Sequence, residues 1–171
     1  TNQHYSNSMS KEFFDDLGIR VPEYELIYDP SKNSHACQTA NIMVQLEEIC
    51  IKESPEFVLV VGDVNSTVAA ALVAKKLQIK LCHVEAGLRS YDRAMPEEIN
   101  RIVTDSISDI LFVTEESGVN NLLKEGHDKE SIHYVGNVMI DNLYHQLKLI
   151  TNADSKMIST DILELSKKPV N

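Results

Sequence analysis

Phe57-Val58-Leu59-Val60-Val61, followed by Gly62-Asp63-Val64-Asn65-Ser66-Thr67, a helical pattern to Leu77 and then Lys80-Leu81-Cys82-His83-Val84, is the stretch that decides the fold. Each of these short runs is β-branched or apolar and too short for a core helix, so it reads as a buried strand. Two strands separated by one helix form a parallel crossover unit, whose right-handed sense is close to obligatory. The runs Ile110-Leu111-Phe112-Val113 and Ile132-His133-Tyr134-Val135 extend the pattern. Helical patterns fall near residues 6–17, 35–53, 66–77, 96–108, 115–125 and 138–150, with a weaker one near 160–167. Alternation of this kind predicts an α/β chain with a doubly wound parallel sheet, its strands apolar throughout because helices cover both faces.

Local signals agree with these elements. Pro96 suits a first helical position, and Glu97 and Glu98 then complement the positive end of the helix dipole. Gly126 is placed to stop the 115–125 helix. Residues 151–171 turn polar and contain no further strand pattern, which predicts a linker after a domain spanning 1–150.

The whole chain has 171 residues, 43% of them hydrophobic and 25% charged, enough for one sizeable core. A formal charge of -10 argues against general nucleic-acid binding, which depends on Lys and Arg neutralising phosphates. No apolar run has the length of a membrane helix, and Thr1-Asn2-Gln3-His4 lacks a signal-peptide layout, so a cytoplasmic protein is expected. Cys37, Cys50 and Cys82 form no C-x-x-C pair and sit in apolar patterns, predicting reduced core thiols rather than metal ligands.

Ligands of doubly wound sheets bind beyond the carboxyl ends of the strands. There the sequence places Asp63, Glu85 and Glu97 or Glu98, and converging loops would gather them into a carboxylate cluster. Carboxylates held close separate their pKa values, so that one can act as acid while another acts as base. Plainer assignments stand beside that one. Asp63, Asn65 or Ser66 can cap the next helix, and Glu97 can form an i, i+4 pair with Arg101. Glu85, directly after a buried strand, needs a partner or a ligand, and an ion pair with Arg89 would supply one. Arg89, Arg93 and Arg101 offer forked donors suited to a diphosphate or to ion pairs with this acidic chain. His83-Val84-Glu85 is similar to the H-x-E of zinc deaminases, but no Pro-Cys-x-x-Cys follows. G-x-G-x-x-G, Walker and G-x-S-x-G motifs are absent.

Together, Gly62-Asp63-Val64-Asn65-Ser66-Thr67, His83-Val84-Glu85-Ala86-Gly87-Leu88-Arg89-Ser90 and Met95-Pro96-Glu97-Glu98-Ile99-Asn100-Arg101 resemble the non-hydrolysing UDP-N-acetylglucosamine 2-epimerase family. Phe112-Val113-Thr114-Glu115, Val135-Gly136-Asn137-Val138-Met139-Ile140-Asp141 and Gln3-His4 add weaker support, so the likeness runs from residue 1 to about 145. The resemblance implies two Rossmann-like domains in a B-type glycosyltransferase-like (GT-B) arrangement. This chain would supply an incomplete amino-terminal domain over 1–150 and a linker over 151–171.

It further implies interconversion of UDP-N-acetylglucosamine and UDP-N-acetylmannosamine by elimination of UDP to 2-acetamidoglucal and re-addition, with no redox cofactor and no metal. The family's key carboxylates fall on Asp63, Glu85 and Glu97. Substrate contacts are implied for Asp63, Glu85 and Arg101, and an activating second nucleotide sugar for Gln3 and His4, where Asn2 replaces the family's glycine. The intact protein is expected to be a homodimer serving surface-polysaccharide precursors, and this segment to be inactive alone. Three rivals remain. The hydrolysing 2-epimerase carries an H-G-G-E-like sequence where this chain has Glu85-Ala86-Gly87-Leu88. The others are a B-type glycosyltransferase half and a truncated, non-catalytic binding remnant.

Overall fold

The computed structural model describes residues 20–27 and 34–152. Among them the order is α1 (His35–Glu53), β1 (Phe57–Val61), α2 (Asn65–Lys76), β2 (Lys80–Val84), α3 (Pro96–Ile107), β3 (Ile110–Val113), α4 (Glu116–Lys124), a 3-10 turn (Lys129–Ser131), β4 (Ile132–Tyr134) and α5 (Val138–Asn152). The expected helices near 6–17 and 160–167 lie outside the described residues. Two compact units divide the chain, Thr1–Tyr134 and Val135–Asn171. In the second, the Asn137 side chain accepts from the Met139 N–H at 2.9 Å and opens α5.

In the first unit the four strands are parallel and lie in the order β1-β2-β3-β4. Register runs from Phe57 opposite Lys80 to Val61 opposite Val84, then from Cys82 opposite Ile110 and from Leu111 opposite Ile132. The α/β, Rossmann-like parallel sheet expected from the sequence is therefore the observed one. Its described strands follow one direction of winding, and no reversal of strand order occurs among them.

Helix ends follow local chemistry. Ser34 caps α1 by accepting from the Cys37 N–H at 3.2 Å. At the end of α4 the His127 N–H reaches the Leu122 carbonyl and the Gly126 N–H reaches Leu123, with Gly126 at φ +90°. These are the paired bonds of a Schellman stop, and they confirm Gly126 as the helix terminator.

Two small cores pack the helices on the sheet. Val60 and Leu81 meet Ala71 and Ala74 of α2, while Leu111 and Val113 meet Ala86 and Leu122 of α4. One expectation fails at β1. Phe57, Leu59 and Val61 are exposed rather than buried, because no described helix covers that face of β1, whereas Val60 on the opposite face packs against α2. Cys50 and Cys82 are buried thiols, but Cys37, expected in the core, is exposed in the first turn of α1.

Candidate active site

The carboxyl ends of β1 and β2 and the amino end of α3 converge at one end of the sheet. Gly62 turns the chain out of β1 at φ +70°, and its N–H donates to the Val84 carbonyl at 3.1 Å. That turn delivers Asp63 to Arg101, whose Nη1 meets Asp63 Oδ2. The Asn100 amide donates to the Asp63 carbonyl at 2.8 Å and fixes the same residue from its backbone. Capping accounts for none of this, because α2 has Val64 at its cap position and no side-chain cap bond. Asn65 instead donates to Gln38 Oε1 at 2.8 Å, tying α2 to α1.

Glu85 departs from its strand at φ +72°, a left-handed conformation that costs a residue with a β-carbon roughly 1–2 kcal/mol. It is half-buried, with Oε2 so close over Gly62 that a β-carbon on that glycine would lie 3.7 Å away. Among the described residues its carboxylate has no hydrogen-bond or ion-pair partner. The expected pair with Arg89 does not form. Successive left-handed turns at Glu85 and Gly87 send the Arg89 side chain to Asp105 Oδ2 at 2.7 Å and to both carboxylate oxygens of Glu125 at 2.8 and 2.6 Å. Positive φ at an unpaired, half-buried carboxylate makes Glu85 the candidate functional position of this corner.

Glu97 and Glu98 part company in the first turn of α3. Glu97 is half-buried and makes no described contact with Asp63 or Glu85. Glu98 is 1% exposed and accepts from the Ser90 N–H at 2.9 Å, the Tyr91 N–H at 3.0 Å, the Ser90 hydroxyl at 3.1 Å and Arg101 at 2.7 Å. Arg101 thus bridges Asp63 and Glu98, replacing the expected Glu97–Arg101 pair with an i, i+3 one. An open cleft of about 510 Å³ adjoins this corner, bounded by His35 and Thr39 of α1, Asn65 of α2, and Pro96 and Asn100 of α3.

A family model described as UDP-N-acetylglucosamine 2-epimerase matches residues 1–170. The chain belongs to the UDP-N-acetylglucosamine 2-epimerase family. The UDP-N-acetylglucosamine 2-epimerase of Methanococcus maripaludis is 49% identical over 149 residues, covering 87% of this chain and 40% of its own length. The UDP-2,3-diacetamido-2,3-dideoxy-D-glucuronate 2-epimerase of Pseudomonas aeruginosa is 46% identical over 144 residues, covering 83% of this chain and 40% of its own length. A crystal structure of the Methanocaldococcus jannaschii UDP-GlcNAc 2-epimerase in complex with UDP-GlcNAc and UDP superposes with a TM-score of 0.83 at 45% identity. That superposition covers 90% of this chain and 42% of the other. The chain spans about 40% of the length of these two curated relatives.

The 2-epimerase motifs now acquire separate physical tasks. In Pro96-Glu97-Glu98-Ile99-Asn100-Arg101, Asn100 and Arg101 hold Asp63, Glu98 holds the Ser90-Tyr91 turn, and Glu97 is left half-exposed. Sequence reasoning overlooked Asp105, which is fully buried beneath the loop after β2. Its hydrogen bonds to His83 and the Gly87 N–H join residues 22 and 18 positions away, a distance no local spacing rule reaches. Gln3 and His4 lie outside the described residues.

Glu98 also makes the fold sensitive to acid. Burial alone would raise its pKa, but the Ser90 and Tyr91 N–H groups, the Ser90 hydroxyl and Arg101 outweigh it and bring it to about 2. A depressed folded-state pKa contributes stability above the unfolded value near 4.5 that is lost as pH falls through about 2. The stability of the wild-type chain measured by chemical denaturation should therefore fall as pH is lowered across this window. Glu98→Gln should show a flatter profile there and lower stability at neutral pH. Superimposable profiles for the two proteins would show that Glu98 has no such role.

Proposed function

We propose that Asp63, Glu85 and Glu97 form one wall of a 2-epimerase active site acting on a UDP-2-acetamido sugar, completed by parts of the protein beyond this segment. The observation that carries the reading is Glu85, a half-buried carboxylate at positive φ with no partner among the described residues, beside the paired Asp63 and Glu98. One carboxylate takes the C2 proton as the C1–O bond to UDP breaks, leaving 2-acetamidoglucal with a C1–C2 double bond. A second acid returns a proton to the opposite face of C2 while the UDP oxygen re-forms its bond to C1. Atoms and electrons balance without an external oxidant or reductant. Charge from Asp63 supports the oxocarbenium-like centre, and Arg101 keeps that carboxylate in place.

UDP-N-acetylglucosamine is the proposed substrate, supported by the Methanococcus maripaludis relative and by the nucleotide sugar in the Methanocaldococcus jannaschii structure. The Pseudomonas aeruginosa relative supports a second reading, a diacetamido uronate sugar. The absence of an H-G-G-E-like sequence supports the non-hydrolysing outcome.

The test grafts this segment in place of its counterpart in the Methanocaldococcus jannaschii enzyme and supplies each sugar in deuterated water. Deuterium at C2 together with the UDP-linked epimer is the expected result. Free N-acetylmannosamine would identify the hydrolysing reaction, turnover of the uronate alone would move the substrate, and absence of both exchange and product would end the epimerase reading.

A further inference from the structure

His83, Asp105 and Arg89 form a fully enclosed polar cluster that the reaction above does not use. The His83 and Asp105 side chains are 0% exposed and that of Arg89 is 1% exposed. His83 Nδ1 lies 2.6 Å from Asp105 Oδ1, and Nε2 lies 2.9 Å from the Gly62 carbonyl. The second Asp105 oxygen accepts from the Gly87 N–H at 3.0 Å and from Arg89 at 2.7 Å.

The donor inventory fixes the protons. A carbonyl only accepts, so Nε2 must carry hydrogen. Nδ1 must carry one too, unless Asp105 is protonated. The cation and the N–H directed at its other oxygen oppose that alternative. Burial alone would push the Asp105 carboxyl up, yet the His83 hydrogen bond, the His83 charge and Arg89 hold it below its ordinary value.

We propose that Asp105 is a positioning residue for Glu85, and that it acts through an imidazolium at His83 on one side and the Gly87 N–H on the other. Through His83 it fixes the Gly62 carbonyl, and the Glu85 carboxylate rests over Gly62. Through Gly87 it fixes the backbone two residues beyond Glu85. One buried carboxylate thereby sets both walls of the slot that holds a residue at φ +72°. The catalytic purpose of this device rests on the epimerase reading, whereas the proton placement does not.

Nitrogen NMR of the ¹⁵N-histidine-labelled chain tests the proton placement. His83 should show two protonated ring nitrogens at neutral pH, and Asp105→Asn should leave one bare. Amide exchange at Gly87 should accelerate about 100-fold in Asp105→Asn, the factor expected for about 2.7 kcal/mol of lost protection. Amides of Leu111 and Val113 should stay protected, which separates local release from unfolding. In the grafted enzyme the same variant should lower kcat about 100-fold at little-changed KM, as for a displaced catalytic group. A bare ring nitrogen in the wild-type chain, or unchanged Gly87 exchange in the variant, would overturn the network. A loss confined to KM would overturn the positioning role. Failure of the wild-type graft to exchange deuterium would remove the catalytic purpose together with the epimerase reading, and the NMR result would stand apart from it.

Discussion

Glu85→Gln in the grafted enzyme should lower deuterium incorporation at C2 and epimer formation by about 10²–10⁴-fold, the usual worth of a positioned acid or base. Its melting temperature should move little, because the Glu85 carboxylate has no partner among the described residues to lose. Glutamine is nearly isosteric and removes the negative charge and the ability to take or carry a proton, while leaving the side chain's size in place. Asp63→Asn is the contrasting variant. It weakens the pair with Arg101, and so should reduce stability as well as rate. Asp63 also remains tethered through its carbonyl to Asn100, which limits how far the loop can drift. A Glu85→Gln enzyme that still exchanges at the wild-type rate would transfer the proton step to Asp63 or Glu97 and leave the strain at Glu85 without a catalytic explanation.

Different physical ranges explain which features were legible in the sequence. Strands β1, β2 and β3 occupy the spans their apolar runs predicted, and β4 ends one residue early at Tyr134. A buried strand between turn residues is a local signal, as are Pro96 at the start of α3 and Gly126 after α4. What escaped depends on neighbours distant in sequence. Nothing near Phe57, Leu59 or Val61 discloses that no described helix covers their face of the sheet, because that is a property of tertiary packing. Likewise Arg89 stands four residues from a needy carboxylate, yet two left-handed turns carry it to Asp105 and Glu125 instead. The adjacent acids Glu97 and Glu98 are equivalent in type and differ only in the helix face they occupy. Glu98 turns inward to the Ser90-Tyr91 turn and is saturated, whereas Glu97 remains half-exposed.

Gly87→Ala should destabilise the chain by about 2–5 kcal/mol, measured by urea denaturation. Two costs combine. Gly87 sits at φ +82°, where a β-carbon adds roughly 1–2 kcal/mol. That β-carbon would also lie 2.4 Å from the Gly118 carbonyl oxygen and 2.9 Å from its Cα, and overpacking of a tight contact adds about 1–3 kcal/mol. The obstacle is backbone, so no rotamer change relieves it. Gly118→Ala also meets a tight site, with its β-carbon 2.7 Å from Cγ1 of the buried Val113 and 3.0 Å from the Ala86 carbonyl, but Gly118 carries no positive-φ cost. It lies inside α4, where alanine recovers about 1 kcal/mol of helix propensity, so its loss should be the smaller. Both groups of the Gly87 peptide are engaged, the N–H by Asp105 and the carbonyl by the Asn121 amide at 2.9 Å. Backing away from α4 would therefore strain two hydrogen bonds that frame Glu85. A Gly87→Ala chain within about 0.5 kcal/mol of wild type, the range of an ordinary surface change, would mean that the loop does not pack on α4 in solution. The ordering of the two variants adds a second check: a larger loss at Gly118 than at Gly87 would locate the constraint in the helix rather than in the turn beneath the carboxylate.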